Sequence, residues 1–369
     1  MSELIAKPKV LFFGKVPPPY IGPAVATQII LNSRLKEHVD LVHFDTSHHK
    51  SIDELSSKSL KNVFFPFKLY LRLFRDIIRH SPDIVYIPSQ QTHIGYLRDI
   101  PYVIITRLLG KKLVFHLRGG YFRNWYNKEC GGFMKWIIRR VQAQLAGQIV
   151  LGENLIQLFE EVMSREKIYV IPNAADYVYP EVPRKSDKIK VLFLGNFIES
   201  KGIIDFISAA QLLKDQEKLS FLCAGNYMDE ESKATIQQLE KETDQLTILG
   251  PVSGKAKFEL LKSVDIFVFP TYYRNEGHPW VIVEALGAGL PVISTDHGAI
   301  IESVIDGSNG YIINPQSPQE IVDKILELAN NEALRTSMSR ASRSLYESTY
   351  REANIVENFA RVFKDVNKK

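Results

Sequence analysis

Asn275-Glu-Gly-His-Pro-Trp-Val-Ile-Val-Glu-Ala-Leu-Gly-Ala-Gly-Leu-Pro-Val-Ile-Ser294 is the stretch whose reading decides the fold. It follows the apolar run Ile266–Phe269, which has the length and composition of a buried strand. Pro279 suits the first turn of a helix, where its missing N–H has no partner to lose. The helix then runs to about Gly287–Gly289, and Leu290-Pro291 leads into a second strand at Val292. Strand, helix and strand at this spacing form a parallel crossover unit. Two carboxylates ride on it. Glu276 lies in the loop at the amino end of the helix, and Glu284 lies inside the otherwise uncharged run Pro279–Thr295. Burying an ionised carboxylate is costly unless it is paired or hydrogen-bonded. Glu284 is therefore either half of a buried salt bridge or a ligand-binding group.

The same alternation extends in both directions. Upstream, β-rich runs occur at Val10–Phe13, Leu41–Phe44, Ile84–Ile87, Leu113–His116, Gln148–Leu151 and Tyr169–Ile171. A second series follows at Val191–Leu194, Phe221–Cys223, Leu246–Leu249, Ile266–Phe269, Val292–Ser294 and Tyr311–Ile313. Helical patterns separate them, among them Ala24–Lys36, Phe67–His80, Phe133–Ala146, Gly202–Lys214 and Gln319–Asn330. Two such series predict two doubly wound α/β domains with parallel sheets. The expected boundaries are 1–175, a linker at 176–188 carrying Pro180 and Pro183, and 189–350, with a last helix at 351–369. Ligands bind outside the carboxyl ends of strands in such sheets, so the cleft between the two domains is the expected site.

Composition narrows the class. The chain has 369 residues, 45% of them apolar and 24% charged, with a net charge of +4. That mild basicity does not argue for nucleic acid. Cys130 and Cys223 have no metal-ligand spacing and read as free thiols of a reducing compartment. No apolar run is long enough to span a bilayer, and the amino terminus lacks a secretory apolar region. A cytoplasmic protein is expected, with the inner face of a membrane as an alternative address.

Three further patterns carry chemistry. Gly195-Asn196-Phe-Ile-Glu-Ser-Lys201-Gly202 follows a strand and opens a helix. A lysine at the positive end of a helix is unfavourable unless an anion is shared there, and such termini bind phosphates. Pro17–Ala24 is a second loop of this kind, in which Gly22 lets backbone approach a ligand and Pro23 fits a first turn. His116-Leu-Arg118-Gly-Gly closes a strand at its carboxyl end, where active-site groups gather. In addition, Lys68, Arg72, Arg75 and Arg79 share one helical face, while Phe67, Leu71, Phe74 and Ile78 share another. That pattern fits a solvated basic helix or one lying on anionic lipid.

With these residues in hand, the chain resembles retaining glycosyltransferases of the GT-B fold, family 4. The resemblance spans nearly the whole length and is strongest over Val191–Pro315. It rests on the E-x7-E block of Glu276 and Glu284 with Ala-Leu-Gly-Ala-Gly-Leu-Pro-Val-Ile, on Gly195 to Lys201-Gly202, and on Ile171–Asp176. It implies two Rossmann-like domains, the first for acceptor and the second for a nucleotide-sugar donor, with the last helix returning to the first. Glu284 would hold ribose hydroxyls, and Glu276 would contact the donor sugar, helped by backbone N–H groups of Gly277, His278, Pro279's neighbour Trp280 and the turn they form. Lys201 would neutralise the diphosphate, Gly22 would approach it, His116 would sit near the transferred sugar, and the base would be read near Gly250.

Two departures stand out. The family's arginine after the first glycine is Asn196 here, so Arg118 or Arg274 is the candidate substitute cation. The family's Gly-Gly is Gly22-Pro23, with one fewer N–H. The implied activity is metal-independent transfer from a nucleoside-diphosphate sugar to a saccharide or lipid-linked saccharide, with no cofactor, in surface polysaccharide or glycolipid synthesis. Peripheral contact with an anionic membrane is an accompanying expectation. A nucleotide-sugar 2-epimerase and a non-catalytic nucleotide-sugar-binding subunit are the alternatives. No G-x-G-x-x-G follows a first strand, which argues against a dinucleotide dehydrogenase.

Overall fold

A computed structural model describes residues 7–18, 22–47, 60–182 and 187–368, with side chains in the helix that begins at Leu60 described from residue 65. The chain divides into two compact units, Met1–Ala175 with Glu352–Lys369, and Asp176–Arg351.

In the first unit the strands are β1 (Lys9–Gly14), β2 (Asp40–Asp45), β3 (Ile84–Ser89), β4 (Lys112–Leu117), β5 (Gly147–Val150) and β6 (Ile168–Val170). They form one sheet in the order β2-β1-β3-β4-β5-β6, with parallel pairing throughout. Val10, Leu11 and Phe12 of β1 and Leu113, Val114 and Phe115 of β4 are fully buried. Continuous apolar runs of this kind mark strands covered on both faces. The edge strand β2 is largely half-buried instead.

The helices are α1 (Gly22–Asn32), α2 (Leu60–His80), α3 (His93–Leu108), α4 (Phe122–Asn124) and α5 (Gly132–Ala143). Successive strand side chains point to opposite faces, and Phe12 and Phe13 show which helices cover each. Phe12 stacks on Tyr86 with centroids 4.0 Å apart and meets Phe359. Phe13 meets Tyr102 of α3. The steps from β2 to β3, β3 to β4 and β4 to β5 all run in one direction across the sheet, while β1 to β2 runs the other way. Right-handed crossovers then place α2, α3 and α5 on one face and α1 on the other.

In the second unit β7 (Ile189–Leu194), β8 (Leu219–Ala224), β9 (Leu246–Gly250), β10 (Ile266–Phe269), β11 (Val292–Thr295) and β12 (Gly310–Ile313) form a parallel sheet in the order β12-β11-β10-β7-β8-β9. Its helices are α6 (Ile203–Leu212), α7 (Glu230–Lys241), α8 (Gly254–Lys262), α9 (Trp280–Ala288), α10 (Pro318–Asn330) and α11 (Glu332–Thr349). Within the unit this is the Rossmann order, and its direction reverses between β7 and β10. The last helix, α12 (Glu352–Lys368), belongs to the first unit, where Phe359 and Phe363 pack against Tyr86.

Two expectations are corrected. The start of the segment read as a linker from Asp176 packs inside the second unit. Tyr177 and Tyr179 lie against Phe258 and Tyr346, and the Tyr179 hydroxyl donates to the backbone carbonyl of Glu284 at 2.7 Å. Aromatic packing holds Tyr177 and Tyr179 in place. Pro279 is the residue before α9 rather than its first turn, with ψ of 127°. An extended residue there turns the chain so that Glu276–His278 lie across the amino end of the helix.

Candidate active site

The strand order reverses between β7 and β10, the place where ligands bind in doubly wound sheets, and Lys201 and Glu276 meet beyond the carboxyl ends of these strands. Lys201 ends a short turn after β7, followed by Gly202 with φ of +83°. A Cβ at Gly202 would stand 2.5 Å from the Pro270 carbonyl oxygen, so only glycine lets the turn pack on the end of β10. That contact brings Lys201 to Glu276. Their side chains are ion-paired and mostly buried. The Thr271 hydroxyl donates to the same carboxylate at 3.2 Å. The Lys201 ammonium also lies 4.6 Å from the centroid of the Tyr273 ring. The lysine thus has a shared anion at the helix amino end, as its position demanded.

Glu276 is held from behind. Gly298, at φ of +62°, comes so close that a Cβ would meet the carbonyl oxygens of Gly277 and Glu276 at 2.3 and 2.8 Å. The Ala299 N–H donates to the Gly277 carbonyl at 2.6 Å. The His278 side chain turns inward, its Nε2 2.7 Å from the Ser303 hydroxyl, which itself donates to Tyr350 at 2.9 Å. Burial lowers the His278 pKa to about 3 and keeps the ring neutral. Its side chain is a structural anchor.

Glu284 lies one turn inside α9 and is 4% exposed. Both readings of it are partly realised. Oε1 is ion-paired with Lys257 of α8, while the buried Oε2 has no hydrogen-bond partner. Burial raises the carboxyl's pKa, and the Lys257 ammonium opposes the rise. A buried carboxylate oxygen left unmatched costs free energy that an incoming hydroxyl donor would recover. Lys257 was not singled out in the sequence. The loop from Gly250, at φ of +70°, leads into α8 and sets it in place.

Asn196 is exposed and bonds only weakly, accepting from the Asn226 amide at 3.5 Å. It adds no charge there. Trp280 is half-buried at the start of α9, whose first-turn N–H groups lack partners within the helix.

In the first unit, Gly22, His116 and Arg118 come together through Tyr86 of β3. The Arg118 guanidinium donates to the Pro23 carbonyl at 2.7 Å, to the Thr27 hydroxyl at 3.3 Å and to the Tyr86 hydroxyl at 3.2 Å. The Tyr86 hydroxyl lies 2.6 Å from His116 Nδ1. Arg118 and His116 thus meet on the same hydroxyl, which leaves the other ring nitrogen of His116, Nε2, turned away from it. That nitrogen is buried and has no partner. Burial, reinforced by Arg118, holds the His116 pKa well below the usual value. Arg118 donates to Pro23, Thr27 and Tyr86, while its buried Nε has no partner. Arg274 is exposed at the end of β10. Pro19–Ile21, in the loop before Gly22, lie outside the described residues.

A cavity of about 550 Å³ opens beside this cluster, lined by Lys15, Thr27, Gln90, Arg98, Asp99 and Arg118 among others. Asp99 is buried and accepts from the Gln90 N–H at 3.2 Å. Desolvation raises its pKa to about 7, against the pull of Arg98. No sequence pattern marked Asp99, because only the fold puts it in a cavity. Among the described residues, no group of His, Cys, Asp and Glu side chains is placed to hold a metal ion.

Two parallel six-stranded Rossmann-like units make the fold that of the GT-B glycosyltransferases. HepE of Anabaena, in complex with UDP and glucose, matches with a TM-score of 0.68 at 15% identity, over 97% of this chain and 99% of that one. Residues 179–345 match the family of glycosyl transferases group 1, a span within the second unit. An uncharacterized glycosyltransferase of Methanocaldococcus jannaschii is 31% identical over 147 residues, 40% of each chain. The GDP-mannose:cellobiosyl-diphosphopolyprenol alpha-mannosyltransferase of Xanthomonas oryzae is 25% identical over 298 residues, 79% of this chain and 76% of its own. The chain spans less than half the length of the first curated relatives it matches.

Proposed function

We propose that the protein is a retaining glycosyltransferase of family 4 that moves a sugar from a nucleoside-diphosphate donor to a hydroxyl of a saccharide or lipid-linked saccharide. The observation that carries this reading is the Lys201–Glu276 pair at the strand-order reversal, with the unmatched Oε2 of Glu284 one helix turn into α9. In this reading the donor diphosphate takes the place of Glu276 beside Lys201 and meets the N–H groups of Gly277, His278 and Trp280. Glu276, displaced from the lysine, accepts from hydroxyls of the donor sugar. Glu284 Oε2 accepts from a ribose hydroxyl, and backbone near Gly250 reads the base. The name of one relative, which specifies GDP-mannose, supports a nucleotide sugar as donor.

The chemistry follows from charge. As the bond from the anomeric carbon to the phosphate oxygen breaks, negative charge grows on the departing diphosphate. Lys201 and the helix dipole stabilise it, a contribution that needs no metal. The oxocarbenium-like sugar is attacked by the acceptor hydroxyl on the face the phosphate leaves, and the hydroxyl's proton passes to a phosphate oxygen. Configuration is retained without a protein nucleophile. The 550 Å³ cavity with Lys15, Arg98 and Asp99 suits an acceptor carrying both anionic and hydroxyl groups. Relatives named for capsular polysaccharide and polyprenol-linked saccharide synthesis favour that kind of acceptor.

The test is a thermal-shift screen of nucleotide sugars followed by product analysis. One nucleotide sugar should stabilise the wild type and fail to stabilise Glu284→Ala. Transfer with retention should then follow when an acceptor is added. Release of an isomerised free sugar without acceptor would identify an epimerase instead, and tight donor binding with no turnover would identify a binding subunit.

A further inference from the structure

Ten of the sixteen large apolar side chains exposed among the described residues sit on three helices of one unit: Phe67, Leu71, Phe74 and Ile78 on α2, Ile94, Leu97, Ile104 and Leu108 on α3, and Phe133 and Trp136 on α5. The other six all belong to the second unit. Those three are the helices that the strand order places together on one face of the first sheet. They are neighbours in fact: Tyr70 of α2 donates to the Arg98 carbonyl of α3 and packs on Tyr102, and Gln142 of α5 donates to Tyr96 of α3.

The sheet side of each helix is already filled by other residues. Leu69, Leu73 and Ile77 of α2, Tyr96, Tyr102 and Val103 of α3, and Met134, Ile138 and Val141 of α5 are the buried ones. The outward stripes are therefore surplus to the core. Leu71 is 74% exposed, Ile94 84%, Leu108 80% and Phe133 76%. A solvated helix has no use for such residues at helical spacing, and contiguous exposure of this kind marks an interaction face.

Charge identifies the occupant. Beside the apolar stripes stand exposed Lys68, Arg75, Arg79, Arg107, Arg139 and Arg140. The only acids on the described parts of the three helices are Asp76 and Asp99, both buried, and Arg72 and Arg75 both pair with Asp76. A face that combines aromatic and aliphatic side chains with cations and no exposed carboxylate matches an anionic bilayer, whose tails take the former and whose headgroups take the latter. A protein partner of matching acidity would have to cover all three helices at once.

We infer that the outer face of α2, α3 and α5 docks the first unit on an anionic lipid surface, with Phe67, Leu71, Ile104, Leu108 and Trp136 entering the interface. The same α2 and α3 wall the 550 Å³ cavity through Phe65, Leu69, Asp99 and Tyr102, so docking brings the cavity to membrane-anchored molecules. The inference stands on the surface alone and does not need the transferase reading.

The experiment is co-sedimentation of the full chain with vesicles of phosphatidylcholine alone or mixed with phosphatidylglycerol. Binding is expected to the mixed vesicles only, weakened but not abolished when salt rises from about 0.05 M to about 0.5 M. Leu71→Ser with Leu108→Ser, and separately Arg75→Glu with Arg79→Glu, should each weaken partitioning by about tenfold or more. Both variants should keep the wild-type melting transition and the wild-type response to nucleotide sugars. Failure of the wild type to bind mixed vesicles overturns the inference, as does equal binding by both variants. So does a wild-type dimer, seen by sedimentation velocity, that Leu71→Ser with Leu108→Ser splits while vesicle binding is absent.

Discussion

Lys201 and Glu276 lie 75 positions apart in the chain and form one mostly buried ion pair at the carboxyl ends of adjacent strands. Each neutralises the other where a diphosphate would otherwise be needed. Removing one partner leaves the other charge buried and unpaired, which costs about 3–5 kcal/mol when burial is complete and less here. Glu276→Gln and Lys201→Met should therefore each lower the denaturation midpoint, and the double variant should lose less than the sum. Transfer should fall about 100- to 1,000-fold in Lys201→Met. Additive losses in a double-mutant cycle from urea melts would mean the two side chains are not coupled.

Glu284 makes a different prediction, because half of its carboxylate is already matched by Lys257. Glu284→Gln keeps the shape and removes a charge that burial disfavours. Relief of the buried charge offsets the loss of the Lys257 pair, so the ligand-free protein should stay close to wild type in stability. Nucleotide affinity should drop about tenfold to a hundredfold, the value of one or two charge-assisted hydrogen bonds. The decisive comparison uses a nucleoside diphosphate and its deoxyribose analogue in calorimetric titrations. Wild type should prefer the ribose form and Glu284→Gln should not; an unchanged preference places the ribose elsewhere.

The contrast between these two glutamates shows what the amino-acid sequence reveals and what it withholds. All twelve strands are readable to within about a residue or two, because central strands buried on both faces are unbroken apolar runs. The helix α3 is harder to read, since Pro101 and an outward stripe of Ile94, Leu97, Ile104 and Leu108 blur its period. In the site, Lys201 and Glu276 stand out by position at element ends. Lys257, Tyr86 and Asp99 do not, because each matters only through a neighbour that the fold supplies. The inward turn of His278 is likewise set by Ser303, far along the chain.

Asp99 gives a stability that declines with rising pH. Its folded pKa of about 7 exceeds the ordinary 3.8, so the folded state holds its proton more tightly than the unfolded chain. The protonated form is favoured below the ordinary value, and stability is lost as pH rises from about 4 to about 7. Asp99→Asn should remove that loss and raise stability by on the order of 4 kcal/mol at pH 8, at about 1.4 kcal/mol per unit of displacement, with little change near pH 4. Melting temperatures across this range test the prediction, and a wild-type advantage at pH 8 would contradict it.

His278 acts in the opposite direction. Its folded pKa of about 3 lies below the ordinary 6.5, so the unfolded chain takes up a proton that the folded one refuses. Stability is complete above about pH 6.5 and falls as pH drops towards 3. At pH 4 the loss from this residue alone is on the order of 3 kcal/mol, since each unit of displacement is worth about 1.4 kcal/mol. The neutral His278→Gln can still meet the Ser303 hydroxyl, so it should start close to wild type at neutral pH and decline less steeply on acidification. His116, lowered in the same sense by burial and Arg118, keeps part of the slope in that variant. Urea midpoints measured from pH 7 to pH 4 separate the outcomes. Parallel curves for wild type and His278→Gln would show that the buried ring does not resist protonation.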